Sequence, residues 1–315
     1  MAGVLKVLSC LAPRLSDQPE PTMDLETFIT AVFCLTDDFV RAQPQTLRQR
    51  GPAPTLADSE VLTIEVVGEF LGLATDQGLY RDFRRHHGAL FPALTRVHRT
   101  TFARQAANLW AVKHALWRHH ARALAPDPQL HVVDSAPVPV CRFARATFCR
   151  RLREVAAYGH DAVARQTFYG LRAHLRVAWP GVITGLDLAP GNVSDLAMAP
   201  EVLDGARGWA LGDRAYWSPA AREDLWQRAL ALLAPFRTRS GETHRWPWWL
   251  VRTRRRIETV LAQLVERFRL TRVWARDRWH LSARVLRKVL SHTTAVLLCV
   301  GAGLDPLTFD ALVEG

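Results

Sequence analysis

WALGDRAYW, residues Trp209 to Trp217, is the stretch on which the reading of the fold turns. A short apolar run ends in Gly212-Asp213, which sets a carboxylate at the tip of a buried strand, where the backbone is still rigid. Such an acid is a turn residue or a metal ligand, and two further segments bear on the choice. His131-Val132-Val133-Asp134-Ser135 again sets an aspartate within an apolar strand, and Arg254-Arg255-Arg256-Ile257-Glu258 sets a glutamate near the start of an amphipathic helix. Three acids, on strand, strand and helix, form a candidate metal site.

Composition limits what such a site acts on. At 315 residues the chain is long enough for a catalytic domain with a smaller companion, and two domains are expected. Lysine and arginine number 41 against 30 acids, a formal charge of +11 with the excess spread along the whole chain. A polyanionic partner is the natural reading, against the plainer one of a basic surface kept in solution by its charge. Cys10, Cys34, Cys141, Cys149 and Cys299 are odd in number and include no C-x-x-C pair, so neither a zinc module nor a disulfide framework is indicated. Lys6 interrupts the short apolar run at the start, which argues against an export signal, and Val289 to Val300 contains Ser291, His292, Thr293 and Thr294 and falls short of a membrane span. The expectation is a soluble, cytoplasmic protein without a membrane partner.

Residues 1–22 hold Pro13, Pro19 and Pro21 without periodicity and read as a disordered leader, which makes Met23 a candidate start. Leu25, Phe28, Ile29, Val32 and Phe33 recur at helical spacing, and Val61 to Leu71 forms the body of a second helix. A long helix opens at Thr100 or Thr101, with Phe102, Ala106, Leu109, Trp110, Leu116 and Trp117 on one side and Arg99, Arg104, Lys113 and Arg118 elsewhere. Residues 23–125 thus read as an all-helical domain whose basic edges suit DNA. His86-His87 and His119-His120 diverge too far on a helix to share a metal and read as surface residues.

Ala125-Pro126-Asp127-Pro128 marks the boundary, and the rhythm then changes. Leu130 to Val140, Thr167 to Trp179 and Val182 to Leu188 read as strands, the last two joined at Pro180-Gly181. A helix from Ser194 to about Leu203 follows, then a strand from Trp209 to Leu211, a helix from Pro219 to Ala229, a strand from Leu230 to Pro235, and the helix carrying Glu258. The expected fold is α/β, a mixed five-stranded sheet with flanking helices over residues 128–300, followed by a tail of residues 301–315.

That order, with Asp134 on the first strand, Asp213 after the fourth and Glu258 on the last helix, resembles the RNase H-like catalytic domain of DDE transposases. HVVDSAPVPVC, FYGLRAHL, GVITGLDLAPGNVSD, GDRAYW and RRRIETV are similar to bacterial insertion-sequence transposases, nearest to the family named after insertion sequence nine-eighty-two, over about residues 23 to 300. The resemblance implies Asp134, Asp213 and Glu258 as catalytic metal ligands for two Mg²⁺ or Mn²⁺ ions. It also implies double-stranded DNA as partner (element ends and target), a homodimer in the DNA complex and a nucleoid-associated location. Related enzymes often carry a Y-x2-R-x3-E-x6-K arrangement; Arg254 and Glu258 fit it, whereas Val251 and Val265 stand where the tyrosine and lysine would be.

The chemistry asks for those residue types. A pair of metal ions held by hard oxygen ligands activates an attacking oxygen and stabilises a leaving one. Each acid also has a structural reading: Asp134 as a turn cap before Pro137, Asp213 in an Asx-turn, Glu258 serving the helix dipole. Asn192 and Asp195 read as turn and helix-start residues, His174 as a core histidine, and Asp161 and Asp187 lie outside the set. Arg142, Arg145, Arg150 and Arg151 after the first strand, Arg237 and Arg239 after the fifth, and Arg254, Arg255 and Arg256 on the last helix are candidates for phosphate contacts, with Arg99 and Arg104 in the helical domain. Trp246, Trp248 and Trp249 are expected to pack against the sheet, with stacking on a displaced base as the minority reading. Ser282 to Val300 reads as a helix covering the domain, with Arg284, Arg287 and Lys288 on its outer side. The alternatives are an RNase H-fold nuclease or resolvase and a catalytically inactive DNA-binding relic.

Overall fold

A computed structural model describes residues 23–42, 53–235 and 246–314. The expected leader therefore lies outside the described residues. In chain order the helices are α1 (Leu25–Arg41), α2 (Asp58–Phe70), α3 (Asp76–His86), α4 (Arg99–Asn108), α5 (Trp110–Ala123), α6 (Asp195–Val202), α7 (Pro219–Gln227), α8 (Trp248–Glu266) and α9 (Arg278–Gly301). The strands are β1 (Leu130–Pro139), β2 (Ala157–Asp161), β3 (Gln166–Ala178), β4 (Val182–Pro190), β5 (Gly208–Leu211) and β6 (Leu230–Leu233). Two compact units result: Met1–Leu124 with Arg267–Arg269 and Arg278–Gly315, and Ala125–Glu266 with Leu270–Asp277. No described helix is long and apolar enough to cross a membrane.

In the helical unit, Asp24 caps α1 by accepting from the Thr27 N–H at 2.7 Å; of the residues that the periodicity picks out, Phe28, Ile29 and Val32 are buried, together with Leu35 and Phe39, while Leu25 and Phe33 are half-buried. The long helix expected from Thr100 is two helices, broken at Leu109, with His98 Nδ1 accepting from the Thr100 N–H at the start of α4. α9 packs against α2, α4 and α5 and belongs to this helical unit, whereas its sequence suggests a place in the sheet domain.

The reason lies in charge. Arg287 and Lys288, expected on the outer side of α9, are fully buried, as is Lys113. Arg287 donates to Glu69 at 2.6 Å and to Asp76 at 2.8 Å, Lys288 donates to Glu69 at 2.7 Å, and Lys113 donates to Glu65 at 2.7 Å. Burial pushes the Asp76 carboxyl up, but Arg287 and Arg284 outweigh it and hold the group well below the usual carboxylate range. A buried charge persists only with such partners, and hydrophobic periodicity does not register a partner two hundred residues away. His120 is likewise buried, with Nδ1 3.1 Å from Thr294 Oγ1, and so is no surface histidine.

The second unit is built on a six-stranded mixed sheet, ordered β2-β3-β1-β5-β6 with β4 also on β3. β1, β5 and β6 run parallel to one another, and β1 runs antiparallel to β3. β3 carries β2 at Gln166–Gly170 and then β4 at Leu171–Ala178. The sixth strand beyond the five expected is β2, whose AYGHD sequence lacks an apolar alternation that would announce it. Ser194 and Ser218 cap α6 and α7 through the Ala197 and Ala221 N–H groups, at 3.2 and 3.3 Å. Val133, Ala199, Val202, Ala210, Leu225, Leu230 and Leu232 then form one core, each large aliphatic contributing about 1.5–3 kcal/mol by leaving water. On α8, Ile257, Val260 and Leu264 are buried, as expected of an amphipathic helix.

Candidate active site

β1 and β5 place the first two acids side by side. Their last registered parallel pair is Val132 with Leu211. Asp134 and Asp213 each stand two residues further on, so the pleat turns both the same way, just where β5 has ended. Asp134 accepts the Ser135 N–H at 2.8 Å and Asp213 accepts the Ala215 N–H at 2.8 Å, each through Oδ1. Asp213 thus makes the Asx-type turn of its structural reading and still faces a second carboxylate. Burial, with the negative charges of Asp213 and Asp195, pushes the Asp134 carboxyl up to about 7, offset in part by the Ser135 N–H and Arg254.

Behind the pair lies a polar group that sequence reasoning passed over. Tyr216 is fully buried, its hydroxyl has no hydrogen-bond partner, and burial followed by the charges of Asp195, Asp134 and Asp213 pushes that hydroxyl well above the ordinary phenol value. Its ring folds back under Gly212, where a Cβ would come within 2.7 Å of ring atoms; the glycine of GDRAYW is needed for that approach. A buried hydroxyl left unpaired costs about 1–3 kcal/mol, which the adjacent carboxylates make intelligible as polarity belonging to the site.

Asp195 also belongs to this neighbourhood, beyond its place at the start of α6. Its Oδ1 lies 3.3 Å from Nδ1 of the fully buried His174, which pairs in register with Ser135. Burial pushes the Asp195 carboxyl up, but hydrogen bonds from His174 and Ser135, with the charge of Arg172, bring it below the usual value. The register, which puts His174 beside the residue following Asp134, carries this signal; the linear sequence does not.

Glu258 is held differently. On α8 its Oε1 lies 3.2 Å from Arg254 Nη2, one turn earlier, and half of its side chain is exposed. Arg254 also acts on Asp134, so it links the glutamate to the aspartate pair. Among the described residues no group of three or more His, Cys, Asp and Glu side chains is gathered so as to hold a metal ion. The structure brings Asp134 and Asp213 together and leaves Glu258 paired with Arg254. Two hard carboxylates of this kind do fit Mg²⁺, which is commonly held by one or two carboxylates together with substrate phosphate oxygens.

Of the arginines, Arg142 and Arg145 are exposed around the 3-10 turn Phe143–Phe148, and Arg255 is exposed on α8. Arg256 lies over the Trp179 ring at 5.6 Å, turned to an aromatic face. Arg99 and Arg104 are exposed on α4. Arg237 and Arg239 lie outside the described residues. Trp248 and Trp249, expected against the sheet, are 72% and 51% exposed.

No curated protein and no solved structure matches the chain. Residues 126–277 match the family model of the transposase DDE domain, and this match supports a DDE-type transposase.

Proposed function

We propose that the protein is the transposase of an insertion sequence, similar to the nine-eighty-two family, that binds double-stranded DNA ends and cuts and transfers strands at an RNase H-like site. The observation that carries the reading is the juxtaposition of Asp134 and Asp213 beyond the last β1–β5 pair, with Asp134 raised by burial and by its acidic neighbours. The order β3-β1-β5-β6, with only β3 antiparallel, supports the RNase H-like assignment.

In this reading Asp134, Asp213 and Glu258 would hold two Mg²⁺ or Mn²⁺ ions. Bound there, the ions supply Lewis-acid charge for activating a water or 3′-hydroxyl and for stabilising the leaving oxygen. Asp134 and Asp213 are oriented by the backbone N–H groups of Ser135 and Ala215. Glu258 would complete the ligand set on releasing Arg254, whose guanidinium would then be available to a phosphate oxygen. Arg142, Arg145 and Arg255 contact the DNA backbone, while Arg99 and Arg104 on α4 contribute to reading the element end. The chain works as a homodimer on DNA in the cytoplasm, at the nucleoid.

The test is site-specific cutting of a labelled duplex that carries the element's own end, with Mg²⁺ or Mn²⁺. Cutting at the element boundary is expected. Glu258, half exposed and not gathered with the aspartate pair among the described residues, favours a second reading, a DNA-binding relic without catalysis, and firm binding without cutting in either metal would establish it in place of the first.

A further inference from the structure

A concavity opens beside the aspartate pair, with a volume of about 560 Å³, lined by Tyr158, His160, Thr167, Arg172, Asn192 and Asp195 among others. That is the size of a site for one small organic group. It adjoins both aspartates through single residues. Ala215, on its wall, gives its N–H to Asp213, and Arg172 donates to Oγ of Ser135, the residue after Asp134, at 3.1 Å.

Its chemistry disfavours phosphate. Arg172 is already engaged: Nη1 by Ser135, Nη2 by the His160 carbonyl at 2.6 Å, and its plane by the Phe168 ring at 5.7 Å. The start of α6 at the rim is capped by Ser194 and carries its own negative charge in Asp195. Asp195 Oδ1 lies 3.3 Å from His174 Nδ1 but is buried without a hydrogen-bond partner, and 18% of the side chain is exposed, so the wall takes N–H donors and repels anions. At the mouth Tyr158 is half exposed and steadied by Tyr169 at 5.0 Å, which offers a ring for stacking. Gly159 and Gly191 meet so closely that a Cβ on Gly159 would lie 2.2 Å from Gly191 O, leaving bare backbone on that side.

The geometry points to this cavity as a subsite for one DNA base, swung out of the helix next to the bond on which the aspartate pair acts, with an amino-bearing edge presented to Asp195. The inference rests on the proposed function and adds to it a nucleotide preference. Cytosine, whose 4-amino group donates, fits; thymine, whose 4-oxygen accepts, meets the carboxylate with repulsion.

Short fluorescent homopolymers of deoxycytidine and thymidine, bound to the full chain at fixed salt without divalent metal, test it. Wild type should bind oligo-dC about fivefold or more tighter than oligo-dT. Asp195→Asn, whose amide offers donors as well as an acceptor, should lose or invert the preference. Asn192→Trp, which fills the cavity from its exposed rim without touching His174, should lose it too and guards against a folding defect at Asp195. Asp134→Asn should keep it. Equal binding of the two probes by wild type, or a preference that survives both Asp195→Asn and Asn192→Trp, overturns the subsite. Metal-dependent cutting measured in parallel separates the two readings. Cutting without the preference refutes the subsite alone, whereas the preference without cutting supports the base pocket and refutes the strand-transfer reading.

Discussion

Nη2 of Arg254 lies 3.2 Å from Oε1 of Glu258, one helical turn on, and the same guanidinium lowers the proton affinity of Asp134 across the site. The Arg254 and Glu258 side chains are 31% and 52% exposed, so the pair contributes little to folding. Glu258→Gln should shift stability by less than about 0.5 kcal/mol in urea unfolding while abolishing metal-dependent cutting. A variant that cuts as fast as wild type would remove Glu258 from the site.

The buried charges of the helical unit behave oppositely. Lys113 donates to Glu65 at 2.7 Å with both side chains almost fully enclosed, and Arg287 reaches the same Glu65 oxygen at 3.3 Å. Lys113→Met leaves a buried carboxylate short of one cation and should cost about 3 kcal/mol by urea unfolding. A loss below about 1 kcal/mol would show that Arg287 alone satisfies Glu65.

Acid should unfold this protein partly through two histidines. Burial lowers both His120 and His292 to about 3, whereas an unfolded histidine titrates near ~6.5. Between those values the unfolded chain binds protons that the folded one refuses. Their contribution is therefore complete above about pH 6.5 and is lost as pH falls toward 3, at roughly 1.4 kcal/mol per pH unit for each group. His120→Gln should reduce the slope of unfolding free energy against pH in that window. An unchanged slope would mean that His120 charges freely in the folded state.

These buried groups also mark where the sequence stops being readable. Asp134 and Asp213 are legible because an apolar run followed by an acid is a local pattern, and strand tips are where two such runs meet. The amphipathic character of α8 is legible for the same reason. Arg287 and Lys288 look like an outer face because their partners, Glu69 and Asp76, lie more than two hundred positions away. β2 is hidden because its pairing to Gln166–Gly170, not its own composition, makes it a strand. Asp195 reads as a helix-start residue, which it is; only the register of Ser135 with His174 reveals the second use.

The most direct test of the aspartate pair is the rate of Mg²⁺- or Mn²⁺-dependent nicking of a labelled element end by Asp213→Asn, run beside a gel shift at fixed salt, with Asp161→Asn as reference. Asp161 accepts the N–H groups of Val163 and Ala164 in an exposed turn, away from the pair. Asp213→Asn keeps the shape and the Ala215 contact but removes one negative ligand, so nicking should fall by about a hundredfold or more while binding through the arginines persists. Asp161→Asn should nick and bind as wild type does. Nicking by Asp213→Asn at the wild-type rate would contradict the account, because the carboxylate beside Asp134 would then have no part in the chemistry.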